Sequence, residues 1–243
     1  MVFEDHSSFW MKIAIGTRAG FEHIRTGLDH LLFLFTLLLP ATSIVRSGTW
    51  VGTRSWRDSI IQTVKIASAF TLGHSLSLTL SALGWVTLPA KPVEILIALS
   101  IAVTAIHAIR PFPIRFFLMI PFFFGLIHGL AFAQLLKNLL LFQSDLPVAL
   151  VSFNIGIELG QLLIILATLP TLFMLSKFRY FPWLRIGTAI AILVLAELWI
   201  GERAFSLKNP ATPLVNFLTK ELYLELAISV LVALALRLRT KNR

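Results

Sequence analysis

The sequence predicts an all-α fold: a polytopic membrane bundle of about seven transmembrane helices, forming one transmembrane domain over residues 1–243. Three observations carry this expectation. First, 57% of the residues are hydrophobic and only 14% are charged, a balance that fits a bilayer rather than a soluble globule. Second, the apolar residues gather in long runs such as Leu31–Leu39 and Ile186–Trp199. Third, Pro89, Pro92, Pro111, Pro113, Pro147, Pro182, Pro210 and Pro213 fall at or near the ends of these runs, where proline punctuates helices. The ten-residue alternation of a membrane β-barrel is missing from the sequence.

The candidate spans are about 20–40, 59–84, 92–110, 115–137, 146–171, 183–204 and 214–236. Each is near the roughly 20 residues that cross about 30 Å of hydrocarbon at ~1.5 Å per residue. The second is long enough to tilt. The last carries Lys220, Glu221 and Glu225 in its first turns. The segment 41–58 reads as the longest early loop, and its Trp50 and Trp56 suit a membrane interface. The N-terminal stretch from Met1 to Lys12 holds acids and no apolar core, which makes it a poor cleavable signal peptide.

Seven crossings place the termini on opposite sides. One set of connections holds twelve Lys and Arg residues, among them Arg46, Arg54, Arg57, Lys177, Arg179 and Arg185, and the other set holds eight. The positive-inside rule therefore puts the C-terminus in the cytoplasm and the N-terminus outside. The net charge of +9 follows these connections, so topology accounts for it and nucleic acid is not a partner. The chain has no cysteine, which removes disulfides, thiolate metal ligands and a cysteine nucleophile together.

The polar residues inside the spans carry the chemistry. His30, His74 and His128 sit in three separate apolar stretches, and an ionisable residue inside a bilayer is costly enough to mark function. On straight helices His30 and His74 lie about 15 Å below the outer surface, and His128 about 13 Å. Asn154 and Glu158 lie about 12 and 18 Å down. One central slab thus collects polar groups from four spans. Asn154, Glu158 and Gln161 form a stripe at i, i+4 and i+7. Glu22 and His23 lie higher and form an outer vestibule. Glu94, just after Pro92, reads as a helix-start acid or a further vestibule group.

Neutral imidazole suits Ni²⁺, Co²⁺ and Zn²⁺, and carboxylate completes such a shell. Asp29 can accept the second N–H of a ligating histidine. The expected metal set is His30, His74, His128, Asp29, Glu158 and Asn154, with Gln161 and Glu94 secondary. His107 lies near the inner end of the third span and reads as an interfacial histidine. His6, in the N-terminal tail, is a candidate first contact for a cation.

The same residues carry a resemblance. The string from Gly20 through Glu22, His23, Gly27, Asp29 and His30 to Phe33 resembles the first-helix signature of the HupE/UreJ family of hydrogenase and urease accessory membrane proteins. The likeness continues through Ala69–Thr79, Val93-Glu94, Phe124–Ala133, Phe153–Gln161 and Trp199–Arg203. The chain reads His23-Ile24 where the related nickel-permease branch reads His-Pro, and His107 where relatives commonly carry Asn. The resemblance implies a permease-like protein of nickel or cobalt supply, in the bilayer of a bacterial inner membrane.

Two functions fit. In the first, a divalent ion passes Glu22 and His23, binds at the central histidines and is released to the cytoplasm. Midplane sites of this kind are common in transporters. In the second, the histidines hold a zinc-type ion that activates water in an intramembrane hydrolase. Glu158 or Asp29 is then the general base, and Ser75 positions the substrate carbonyl. No phosphate-binding Gly-rich loop, His-Glu-x-x-His or Gly-x-Ser-x-Gly motif is present.

Overall fold

The computed structural model describes residues 9–113, 118–138 and 146–206. His6 and the candidate span 214–236 lie outside the described residues. Seven α-helices and one β-hairpin are described: α1 (Phe9–Thr26), α2 (Leu28–Leu38), β1 (Ser43–Arg46), β2 (Thr49–Thr53), α3 (Trp56–Ala82), α4 (Ala90–Ile109), α5 (Met119–Asn138), α6 (Leu146–Leu175) and α7 (Phe181–Phe205). The fold is helical, as the composition predicts. Among the described helices α4, α6 and α7 are long and apolar enough to cross a membrane. α2 and Met119–Ala131 are apolar but shorter.

Local chemistry sets the helix ends. Ser55 opens α3: its Oγ accepts the Asp58 amide N–H at 3.1 Å and donates to Asp58 Oδ2 at 2.7 Å. This satisfies an amide that has no partner within the helix. α7 starts with proline in its first turn and stops at Ser206, which takes the left-handed conformation with φ 56°. α6 runs on to Leu175, through Pro170, where the sequence pattern ends the span at 171.

Two further expectations are corrected. The first span, read as one helix over 20–40, is two helices meeting at Gly27, and the first of them begins at Phe9. The segment 41–58 is no plain loop, because residues 43–53 form an antiparallel hairpin. Its turn, Ser47-Gly48, has positive φ at both residues, 50° and 72°. That is the turn geometry whose twist matches paired strands, and glycine takes it without steric cost. The Ser-Gly dipeptide is the signal in the sequence.

The chain divides into two compact units. Of the described residues, unit 1 comprises 9–31, 65–97, 118–138 and 146–162. Within it, close helix pairs form where side chains are smallest. A Cβ added at Gly73 would collide with the Phe122 carbonyl oxygen, and one at Gly125 would collide with that of Phe70. α3 and α5 therefore touch backbone to backbone. α1 and α6 do the same: a Cβ at Gly20 would strike the Phe153 carbonyl, and one at Gly156 that of Thr17. Small residues four apart let helices approach in this way. The sequence spells the pattern as Gly16-x-x-x-Gly20, Gly73-x-x-x-Ser77, Gly125-x-x-x-Gly129 and Gly156-x-x-x-Gly160.

Of the described residues, unit 2 comprises 32–64, 98–113 and 163–206. Its core includes Phe33, Leu38, Ile101, Leu169 and Ala196, with α4 contributing the buried stripe Ala98, Ala102, Ala105 and Ala108. The hairpin docks on this core. Trp50 Nε1–H donates to the His107 carbonyl at 3.1 Å, and Thr53 Oγ donates to the Ser176 carbonyl at 2.9 Å. Buried Arg185 donates from Nη1 to the Ala108 carbonyl at 2.9 Å, and so closes the C-terminal end of α4.

Candidate metal centre

The candidate site lies within unit 1 and is built from α1, α2, α3 and α5. His74 comes from α3 and His128 from α5, and the glycine contacts around Gly73, Gly125 and Gly129 hold these two helices together. His23 lies in the last turn of α1 and His30 in the first turn of α2. The break at Gly27 joins them. A Cβ on Gly27 would lie 2.7 Å from the His23 carbonyl oxygen and 2.9 Å from His30 Nδ1. With no side chain at Gly27 the two histidines close around this point without displacing His30 or Asp29.

Four imidazole rings result, packed around His30. Ring centroids are 4.5 Å apart for His23–His30, 4.9 Å for His30–His128, and 6.0 Å for both His23–His74 and His30–His74. Ligand atoms of His23, His30 and His74 all lie within 4.8 Å of one another, as do those of Asp29, His30 and His128. Two nitrogens on opposite sides of one ion stand about 4.2 Å apart, twice a ~2.1 Å bond. Small side-chain movements therefore suffice to close either group on a cation.

Asp29 orients the central ring. Its Oδ1 accepts the His30 amide N–H at 2.9 Å and lies 3.0 Å from His30 Nδ1. A proton on Nδ1 then points at the carboxylate and leaves Nε2 as the lone-pair donor. Metal-binding histidines are commonly held in this manner. His30 Nε2 and both ring nitrogens of His74 are buried and have no hydrogen-bond partner among the described residues. A buried polar atom left unsatisfied costs about 1–3 kcal/mol. The donor set, nitrogens with one carboxylate, suits a borderline divalent ion. Phe70 and Phe153 enclose the rings: Phe70 lies 5.1 Å from His128 and 6.1 Å from His74, and Phe153 lies 5.7 Å from His23.

The other sequence candidates fall elsewhere. Asn154, Glu158 and Gln161 on α6 face a hydroxyl stripe on α3. Ser75 Oγ donates to Asn154 Oδ1 at 2.6 Å, Thr71 Oγ to Gln161 Oε1 at 3.0 Å, and Ser68 Oγ to Glu158 Oε1 at 3.3 Å. These three residues are absent from both metal-capable groups among the described residues. The expected vestibule pair separates: His23 joins the cluster, whereas Glu22 binds Arg25 on its own helix at 2.6 Å. Glu94 is exposed on α4, one residue past its first turn. His107 belongs to unit 2, where its Nδ1 accepts the Phe112 amide N–H at 3.0 Å and its ring packs on Trp50.

A straight helix over 20–40 would set His23 about 10 Å above His30, given a rise of ~1.5 Å per residue. The signal against that reading is Gly27 followed by Asp29, a breaker and then an acid suited to a fresh helix start.

Fold and site together define a class: a helical protein with membrane-length apolar helices and a buried histidine–carboxylate cluster. The family model described as HupE / UreJ protein matches residues 2–203. The chain belongs to the HupE/UreJ family, as the motifs between Gly20 and Arg203 indicate. No curated protein and no solved structure matches it.

Proposed function

We propose that this protein is an integral protein of a bacterial inner membrane that binds and imports a divalent transition-metal ion, Ni²⁺ or Co²⁺. The histidine cluster is the transit site. His30 and His74 supply the central nitrogens, His128 and His23 complete the imidazole set, and Asp29 sets the tautomer of His30 and carries a compensating negative charge. One membrane domain, with the N-terminus outside, delivers the ion toward the basic cytoplasmic side. Asn154, Glu158 and Gln161 tie α6 to α3 beside the site.

The observation that carries this reading is the pair of nitrogens on fully buried His74, next to His30 Nε2, that have no hydrogen-bond partner among the described residues. Histidines that serve only to glue helices together would spend these atoms on hydrogen bonds across the interface. A cation takes the lone pairs of His30 Nε2 and of one His74 nitrogen, while the other His74 nitrogen keeps its proton. The family membership supports the same metal class. The hydrolytic alternative has less support, because Glu158 and Ser75 are engaged with Ser68 and Asn154.

The test is metal analysis of the purified full chain by mass spectrometry after exposure to Ni²⁺, Co²⁺ and Zn²⁺, followed by radiolabelled uptake into proteoliposomes. About one Ni²⁺ or Co²⁺ per chain is expected, with both binding and flux lost in His30→Ala and His74→Ala. Flux that survives both substitutions overturns the reading. One tightly held zinc with no flux selects the hydrolase instead.

A further inference from the structure

Unit 2 carries a second polar feature, distinct in chemistry from the histidine cluster. A cavity of about 320 Å³ opens where the hairpin meets the α6–α7 connection. Three cations line it, Lys177, Arg179 and Arg185, and no carboxylate does. Arg185 forms its inner wall and is only 4% exposed. Its guanidinium donates to the Ala108 carbonyl and stacks on Trp50 at 5.6 Å. Its Nε has no hydrogen-bond partner among the described residues. A buried cation needs a counter-charge or a full set of acceptors. A backbone carbonyl and an indole face give it only part of that.

The start of α7 adds to the demand. Phe181 and Pro182 line the cavity, and Tyr180 provides no side-chain cap. The positive end of the α7 dipole lies at this space and favours an anion by its field, the Phe181 N–H being bonded to the Phe178 carbonyl and Pro182 having none. Lys177 and Arg179 sit at the mouth, resting on Phe173 and Tyr180 at 4.9 and 5.2 Å. An oxyanion entering between them would reach the Arg185 Nε–H at the base.

We propose that this cavity is a binding site for a phosphate group, with Arg185 at its base and Lys177 and Arg179 at its mouth. The same chemistry is offered by the headgroup of an anionic phospholipid and by free inorganic phosphate. The position among the most basic connections of the chain favours the lipid, since basic residues beside a membrane attract anionic headgroups.

Native mass spectrometry of the full chain in detergent tests this, with phosphatidylglycerol, phosphatidylcholine and inorganic phosphate as separate probes. Phosphatidylglycerol is expected to bind saturably, one molecule per chain, and phosphatidylcholine far less well. Each basic residue near an anionic headgroup contributes about fivefold, so K177Q/R179Q should weaken binding about 25-fold. R185Q should weaken it further. K177Q/R179Q alters only exposed side chains and leaves the α4 cap intact, so it stays informative if R185Q fails to fold. Inorganic phosphate binding with the same variant dependence, in place of the lipid, keeps the site and changes its source. Equal retention of phosphatidylcholine, or binding by K177Q/R179Q indistinguishable from the unaltered chain, overturns the proposal. Nickel binding by K177Q/R179Q should be unchanged, which separates this site from the histidine cluster.

Discussion

His23 and His30 are seven residues apart in sequence, yet their ring centroids lie 4.5 Å apart. A continuous helix would hold them about 10 Å apart along its axis. The two side chains span most of that distance across the break at Gly27, and the four-ring cluster depends on this approach.

Gly27→Ala should therefore damage the site more than the fold. The new methyl would meet the His23 carbonyl, His30 Nδ1 and Asp29 Oδ1 within 2.7–3.2 Å. Relief requires moving the ring of His30 or reopening the angle between α1 and α2. Isothermal titration with Ni²⁺ should show affinity reduced tenfold or more, of the order of about 10–100-fold seen when groups supporting a metal ligand are lost. Helical circular dichroism should be preserved. Gly187→Ala, where a Cβ meets nothing within 4 Å, is the control and should change neither.

The contact of α3 with α5 yields a different outcome. A Cβ at Gly125 would collide with the Phe70 carbonyl and lie 2.9 Å from the His74 amide nitrogen. Neither atom belongs to a flexible side chain, so the helices themselves must separate. Overpacking of this kind costs about 1–3 kcal/mol. Gly125→Ala should lower thermal stability in detergent and also weaken metal binding, because His74 and His128 part together. Binding retained at full strength in a destabilised variant would show that the two helices do not set the ligand geometry.

Much of this was legible in the sequence, for identifiable reasons. Helices α4, α6 and α7 follow hydropathy and proline punctuation closely, since both act locally. His30, His74 and His128 stand out because a polar residue in an apolar run is rare and costly. The limits are equally physical. Depth along a helix says nothing about azimuth, so Asn154 and Glu158, expected at the depth of the histidines, point at the hydroxyls of Ser75 and Ser68. One glycine shifts His23 from the expected vestibule into the cluster. The hairpin of residues 43–53 rests on a two-residue turn and on a tryptophan bond to a distant carbonyl, and long-range contacts of that kind leave no periodic trace.

Asp29→Asn tests the orienting carboxylate. An amide oxygen can still accept from the His30 backbone, so the start of α2 should survive. The neutral amide loses the negative charge and holds the Nδ1 proton less firmly. Nickel affinity should fall about 10–100-fold while His30→Ala abolishes binding. Equal affinity in Asp29→Asn and the unaltered chain would mean that His30 finds its tautomer without help.

The bond between Ser75 and Asn154 separates structure from ligation. At 2.6 Å it is the shortest of the three hydroxyl bonds joining α3 to α6. If Asn154 serves packing, Ser75→Ala and Asn154→Ala should each destabilise the protein, and their double-mutant cycle should give a coupling of about 0.6 kcal/mol, typical of hydrogen bonds between membrane helices. Metal stoichiometry should remain one per chain in all three variants. A loss of metal in Asn154→Ala that exceeds the loss in Ser75→Ala would instead recruit the Asn154 carbonyl oxygen to the ion. The α6 stripe would then join the transit site.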